Sequence, residues 1–407
     1  MPAADLMTGD VVAAAPRLRL PTRPLIVSGW FPPRPGGSAA LMANILQWFD
    51  PRDYVVATGT PPPDEPRTTT LAGARVVHVS RYRRLRGRGH QLFTAAQIPL
   101  AAWRTARLAR TENAGVILGV FPDLQHLAVA YLAHRWSGRP LAAYLHDFIL
   151  EAGYGSYLGA LARWLHPRLL ASARPVWTMS DAMSERFARV HGVPTTPLVH
   201  PYNEPIPERV APRAPGHPLR ALFGGSVAPA NGAALARVAR ALARVGARLT
   251  ILGPNPPETL ARYGLDLPHV SAAFLPDRAA VLQAMRDHDV LVSTLSWADE
   301  SWVGEEEVAT MFPTKLPEYL AQGRPVLGHC PAHYTMAAFM AEHECGWVVT
   351  ERSEDALATA FAEITADAPA REKRAANALV TARRFAGPRI AAQFRDELAA
   401  AAGGARR

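Results

Sequence analysis

The chain has 407 residues, room for two or three domains at about 100–200 residues each. Hydrophobic residues make up 49% and charged residues 19%, which excludes disorder over most of the length. The net charge of +9 admits nucleic acid, an anionic membrane surface or a polyanionic small molecule as partner. However, 42 of the 44 basic residues are arginine, beside 37 prolines and abundant alanine. That bias follows GC-rich codon use and weakens the arginines as a nucleic-acid footprint. It also draws attention to the two lysines, Lys315 and Lys373.

Two cysteines, Cys330 and Cys345, build no disulfide framework, so a reducing, cytoplasmic compartment is expected. No run of 18 apolar residues predicts a membrane span. Residues 1–22 carry Asp5 and Asp10 and no long apolar centre; they read as a loose tail and not as a secretory signal.

From residue 23 the chain alternates short β-branched runs with Ala/Leu/Arg segments of helical period. Strands are expected at 25–28, 54–57, 75–79, 115–121, 141–145 and 176–179. A helix is expected over 38–49, with Ser38 in the N-cap position. Residues 201–218 hold six prolines and read as an extended linker. The pattern then restarts, with strands at 221–223, 249–252, 270–274, 290–293, 325–327 and 347–349 and helices such as 233–245 and 279–287. Alternation of this kind implies parallel sheets covered on both faces. The expected architecture is therefore α/β, with two doubly wound, Rossmann-like domains facing a cleft. Residues 23–200 form the N-terminal domain and 219–372 the C-terminal domain. A helical tail over 373–407 is broken near Gly387-Pro388 and returns toward the first domain. Ligands in such sheets bind at the carboxyl ends of strands.

Four segments could hold chemistry. The first runs from Trp30 to Gly37, where Gly36 and Gly37 precede a helix. It is a steric turn or an anion cradle. The second, from Phe223 to Gly232, has the same strand–glycine–helix form but lacks the P-loop ending. In the third, from Met311 to Val326, Lys315 and Glu318 share a helix face. They form either a surface ion pair or a site in which the ammonium meets phosphate and the carboxylate meets ribose hydroxyls. The fourth places His146-Asp147 at a strand end, where the histidine is structural or points at a ligand. No metal-ligand spacing or nucleophile elbow is present. The basic run from Arg81 to Arg88 is a solvated loop or a contact with an anionic membrane or phosphorylated acceptor.

Together these segments resemble the GT-B fold retaining glycosyltransferases of glycosyltransferase family 4, over about residues 24–385. The resemblance rests on Phe31-Pro32-Pro33-Arg34-Pro35-Gly36-Gly37, on Val176 to Arg186, on the loop Gly224 to Gly232, and on Pro313 to Val326 around the second glutamate of a Glu-x7-Glu motif. Three positions depart from the pattern. Thr310 stands at the first glutamate, and Ser226 and Asn231 stand where many members carry the arginine and lysine of the donor loop. Pro313-Thr314-Lys315 fits a branch with Pro-Ser-Lys before the remaining glutamate.

The resemblance implies retaining transfer from a nucleoside diphosphate sugar, the sugar nucleotide being a substrate, with no cofactor and no obligatory metal. It implies donor contacts at Gly225, Ser226, Asn231, Thr314, Lys315, Leu316 and Glu318. Backbone amides near Gly225 join Lys315 in replacing the missing charge. His146, Lys315 and Glu318 serve catalysis, and Gly36, Gly37, His146 and Asp147 face sugar or acceptor. The acceptor class stays open among glycan, lipid carrier and small natural product. A nucleotide-sugar 2-epimerase, a non-catalytic sugar-nucleotide binder and a nucleic-acid binder are the alternatives, the last without a recognisable motif.

Overall fold

A computed structural model describes residues 17–32, 37–60, 73–81, 87–150, 156–211 and 214–404. The chain divides into two units. Among described residues, one takes 17–203 together with 387–404, and the other takes 204–386.

The first unit contains β1 (Pro24–Val27), α1 (Gly37–Leu46), β2 (Val55–Gly59), β3 (Arg75–Ser80), α2 (Gly87–Thr111) and β4 (Val116–Phe121). It continues with α3 (Leu124–Ser137), β5 (Leu141–Leu145), α4 (Ser156–Ser172), β6 (Ala173–Thr178), α5 (Asp181–His191) and β7 (Thr196–Pro197). The seven strands form one sheet in the order β3-β2-β1-β4-β5-β6-β7, and every pair is parallel. Alternate residues serve opposite cores, as the pleat requires. Leu25 and Val27 pack with Ile98, Leu127, Leu165 and Phe187 of α2, α3, α4 and α5. Ile26 faces the other way, with Met42 and Ile45 of α1 and Phe394 near the C-terminus. Both faces are covered, which is why the strands read as unbroken apolar runs. Helix ends follow side-chain chemistry. Asp123 and Ser180 cap α3 and α5, and Gly138 and Gly192 end them in the left-handed conformation.

The second unit contains β8 (Arg220–Gly224), α6 (Gly232–Arg244), β9 (Arg248–Leu252), α7 (Pro257–Arg262), β10 (Val270–Ala273), α8 (Arg278–Asp287) and β11 (Val290–Thr294). Then come α9 (Glu305–Thr310), α10 (Leu316–Leu320), β12 (Val326–His329), α11 (Thr335–Glu342), β13 (Trp347–Val349), α12 (Glu354–Ala366) and α13 (Ala368–Ala382). Its six parallel strands follow the order β10-β9-β8-β11-β12-β13. Each unit is therefore Rossmann-like, with a switch point between β1 and β4 in one sheet and between β8 and β11 in the other.

Three local expectations change. Residues 17–22 are tied down: Leu18 donates to the Trp48 carbonyl at 2.7 Å, and Leu20 donates to Asp53. Ser38 lies inside α1, one residue past its start, and does not cap it. Residues 373–386 belong with the second unit, where α13 buries Leu379. The last helix, α14 (Gly387–Gly404), lies with the first. There Glu397 accepts from the Trp177 indole at 2.6 Å, and Gln393 donates to the Pro197 carbonyl. Pro388, at the head of α14, sits where the missing N–H costs nothing.

Candidate functional site

At the switch point of the second sheet, β8 ends at Gly224 and the loop opens with Gly225. The Gly224 N–H donates to the buried Tyr319 hydroxyl at 2.6 Å, and that hydroxyl returns a bond to the Gly224 carbonyl at 3.3 Å. Gly225 has φ of +132°, a conformation that glycine adopts without strain. Asn255 braces the loop: its amide donates to the Gly225 carbonyl, and its carbonyl oxygen accepts from the Val227 N–H. Asn231 closes the turn, accepting from Ala228 and donating to the Ser226 carbonyl.

These bonds revise the expected use of the loop. The Gly225 N–H is given to the Leu252 carbonyl at 2.7 Å, and those of Val227 and Ala228 are also taken, so most of these amides hold the loop and not an anion. Both polar ends of Asn231 are likewise engaged within the loop. Ser226 is exposed at its tip.

Helix α10 carries the second group. Lys315 occupies its N-cap position, and Glu318 lies in its first turn. Lys315 Nζ reaches both Glu318 oxygens, at 3.2 and 3.1 Å. Arg278, at the start of α8, donates to Glu318 Oε2 at 2.9 Å and also approaches Glu204 at 3.5 Å. Glu318 is only 9% exposed, so this is not a solvated surface pair. Burial pushes its pKa up, but the Lys315 and Arg278 charges and hydrogen bonds pull harder, and the net shift is down. The carboxylate is thus held ionised between two half-buried cations. Thr314 is exposed beside Lys315. Leu316 differs from expectation: its side chain is fully buried, and its N–H donates to the Pro313 carbonyl. It fixes the helix by packing and offers a ligand no polar group. Thr310 turns its hydroxyl back to the Glu306 and Glu307 carbonyls, as threonine does near a helix end.

In the first unit, His146 follows β5. Its ring meets Tyr144 edge-on at 4.4 Å, and neither buried ring nitrogen has a partner among the described residues. Burial, with a smaller contribution from His200, pushes its pKa down to about 3. The histidine is neutral at neutral pH, and no described residue takes up its donor or its acceptor. Asp147 beside it is exposed, as is Gly37 at the start of α1; Gly36 lies outside the described residues. At the β1–β4 switch point, Asp123 Oδ2 bonds His126 Nδ1 at 2.8 Å, and His126 Nε2 lies 3.2 Å from Ser80 Oγ.

Sequence reasoning missed Arg278, Tyr319 and Asn255. Arg278 lies 40 positions from Glu318, one arginine among 42, and no local spacing joins them. Tyr319 lies next to Glu318 in sequence, but its reach to Gly224 is a tertiary contact. Of the basic run 81–88, only Arg81 has a described side chain. No described helix is long and apolar enough to cross a membrane.

Residues 36–203 match the family model of the glycosyl transferase 4-like domain, and residues 220–367 match that of the glycosyl transferases group 1. No curated protein sequence matches significantly. Among solved structures, sucrose-phosphate synthase from Thermosynechococcus elongatus aligns with TM-score 0.67 and 15% identity over 91% of this chain and 96% of its own. The Anabaena protein HepE, solved with UDP and glucose, aligns with TM-score 0.65 and 20% identity over 93% and 99%. The UDP-forming α,α-trehalose-phosphate synthase from Burkholderia vietnamiensis gives 0.64 and 13% over 93% and 100%. At such identities the likeness is one of fold.

Proposed function

Because the chain belongs to the GT-B glycosyltransferases, family 4-like, we propose that it moves a sugar from a nucleoside diphosphate sugar to an acceptor hydroxyl with retention of anomeric configuration. Uridine is the base this reading favours, since similar structures hold UDP or are described as UDP-forming. The observation that carries the reading is Glu318, a nearly buried carboxylate kept ionised by Lys315 and Arg278 beside a glycine loop at a sheet switch point.

In this reading Glu318 grips the ribose hydroxyls. Lys315, Arg278 and the Ser226 tip face the diphosphate. As the glycosidic bond breaks, negative charge grows on the leaving group, and cations already in place stabilise it without reorganising. The two side chains supply the charge that Ser226 and Asn231 do not, and no metal ion is required of them. A phosphate oxygen takes the acceptor proton as the acceptor attacks the face the diphosphate leaves. His146, neutral and without a partner among the described residues, contacts a hydroxyl of sugar or acceptor, as do Asp147 and Gly37.

The test is transfer or hydrolysis of UDP-sugars by wild type, Lys315→Ala and Glu318→Ala, with the anomeric coupling of the product read by NMR. Each substitution is expected to lower turnover or donor affinity by about tenfold or more. Unchanged kinetics in folded variants would defeat the site assignment, and an inverted product would defeat retention. Conversion of the donor without acceptor to its C2 epimer would identify an epimerase instead.

A further inference from the structure

The positive charge is unevenly placed. Residues 75–172 contain 13 arginines, no lysine and four acidic residues, Glu112, Asp123, Asp147 and Glu151. That excess equals the net charge of the whole chain, +9, so the remainder is balanced. Codon drift enriches arginine throughout a chain; it does not strip acidic residues from one quarter of it. Two of the four acids are also spent internally. Glu112 pairs with Arg23 and Arg75, and Asp123 with His126.

This span builds α2, α3 and α4, which cover one face of the first sheet and bury Ile98, Leu127 and Leu165 against it. Their outer surface is unusual. On α2, Leu92 (66% exposed), Leu100 (49%) and Trp103 (53%) share a stripe with Arg107 and Arg110, at intervals of three to eight residues. On α4, Trp164 lies exposed between Arg163 and Arg168. Trp136, at the end of α3, is 42% exposed, and its carbonyl accepts from Arg110. The same pair occurs on two helices: Arg107 lies over Trp103 at 5.9 Å, and Arg168 over Trp164 at 5.2 Å. Tryptophan and leucine interleaved with arginine, on helices without a free acid, match the two needs of a bilayer interface. The apolar rings and chains enter the headgroup boundary, and the guanidinium groups meet lipid phosphates. A second copy would set this charge against itself.

We propose that the outer face of α2, α3 and α4 docks the protein on an anionic lipid surface, peripherally and reversibly. Leu100, Trp103 and Trp164 insert, and Arg107, Arg110 and Arg168 hold the phosphates. This docking is independent of the donor reading.

The test is sedimentation of the full chain with phosphatidylcholine vesicles, with and without phosphatidylglycerol, at low and high salt. Binding is expected only to the anionic vesicles and is lost at high salt. Leu100→Ser with Trp103→Ser is expected to reduce partitioning about tenfold, and Arg107→Glu with Arg168→Glu at least as much. All four side chains are exposed, so thermal midpoints should hold, and UDP binding measured on the same samples should not change. Absence of binding at low salt, equal binding to neutral vesicles, or equal binding by the variants overturns the proposal. A concentration-dependent dimer that the Leu100→Ser, Trp103→Ser protein loses, without vesicle binding, overturns it in favour of self-association.

Discussion

The Gly224 N–H meets the Tyr319 hydroxyl at 2.6 Å, tying the end of β8 to the helix that carries Lys315 and Glu318. One bond thereby sets the glycine loop and the charged helix in a common frame. Tyr319→Phe removes the acceptor and leaves a buried N–H unpaired. The expected cost is about 1–3 kcal/mol of stability, read by denaturant unfolding, with weaker donor binding. A variant as stable as wild type, with unchanged donor affinity, would show that the frame does not depend on this bond.

Glu318 titrates below its ordinary value of 4.5 because the charges of Lys315 and Arg278 overcome burial. A depressed carboxyl pKa contributes stability that is present above the ordinary value and lost as pH falls through the folded one. Arg278→Gln removes one of the two cations, so burial counts for more and the pKa rises. The acid limb of donor binding should then move to higher pH than in wild type. An unmoved limb would mean that Arg278 does not act on this carboxylate.

His146 behaves differently. Its pKa is pushed from 6.5 down to about 3, chiefly by burial, so the folded protein resists protonating it. The unfolded chain binds the proton first. Stability from this group is complete above pH 6.5 and drains away as pH falls toward 3. Between pH 7 and 5 the thermal midpoint of wild type should fall more than that of His146→Asn. Parallel curves would show that the imidazole is not held neutral.

Much of the fold was legible because both sheets are parallel and buried on two faces, which writes each strand as an apolar run between helical periods. Glu318 and Lys315 were legible because they sit one turn apart on a short helix between a proline and a glycine. What stayed hidden depends on distance in sequence. Arg278 reaches Glu318 across 40 residues, and Asn255 reaches Gly225 across 30. The expected amide cradle at Gly225 was misread for a related reason. A glycine pattern shows where backbone can turn, and only the folded loop shows that its N–H is already given to Leu252.

Gly29 illustrates the same limit at the other switch point. A Cβ there would lie 1.7 Å from Asp123 Oδ2 and 2.8 Å from His126 Nδ1. Gly29→Ala must displace the pair that links His126 to Ser80, at an expected cost of about 1–3 kcal/mol. In a double-mutant cycle of unfolding midpoints, Asp123→Ala should recover part of that loss: Gly29→Ala should cost less in the Asp123→Ala protein than in wild type, since the nearer clash, with the carboxylate, is gone. No recovery would place the strain elsewhere.

The central claim is that Glu318 and its two cations form the nucleotide-binding core of a sugar transferase. Calorimetric titration of wild type and Glu318→Gln with UDP tests it most directly. The account predicts saturable binding by wild type and affinity lower by about tenfold or more in the variant, whose side chain keeps the shape but loses the charge. Equal affinity in the two folded proteins would contradict it.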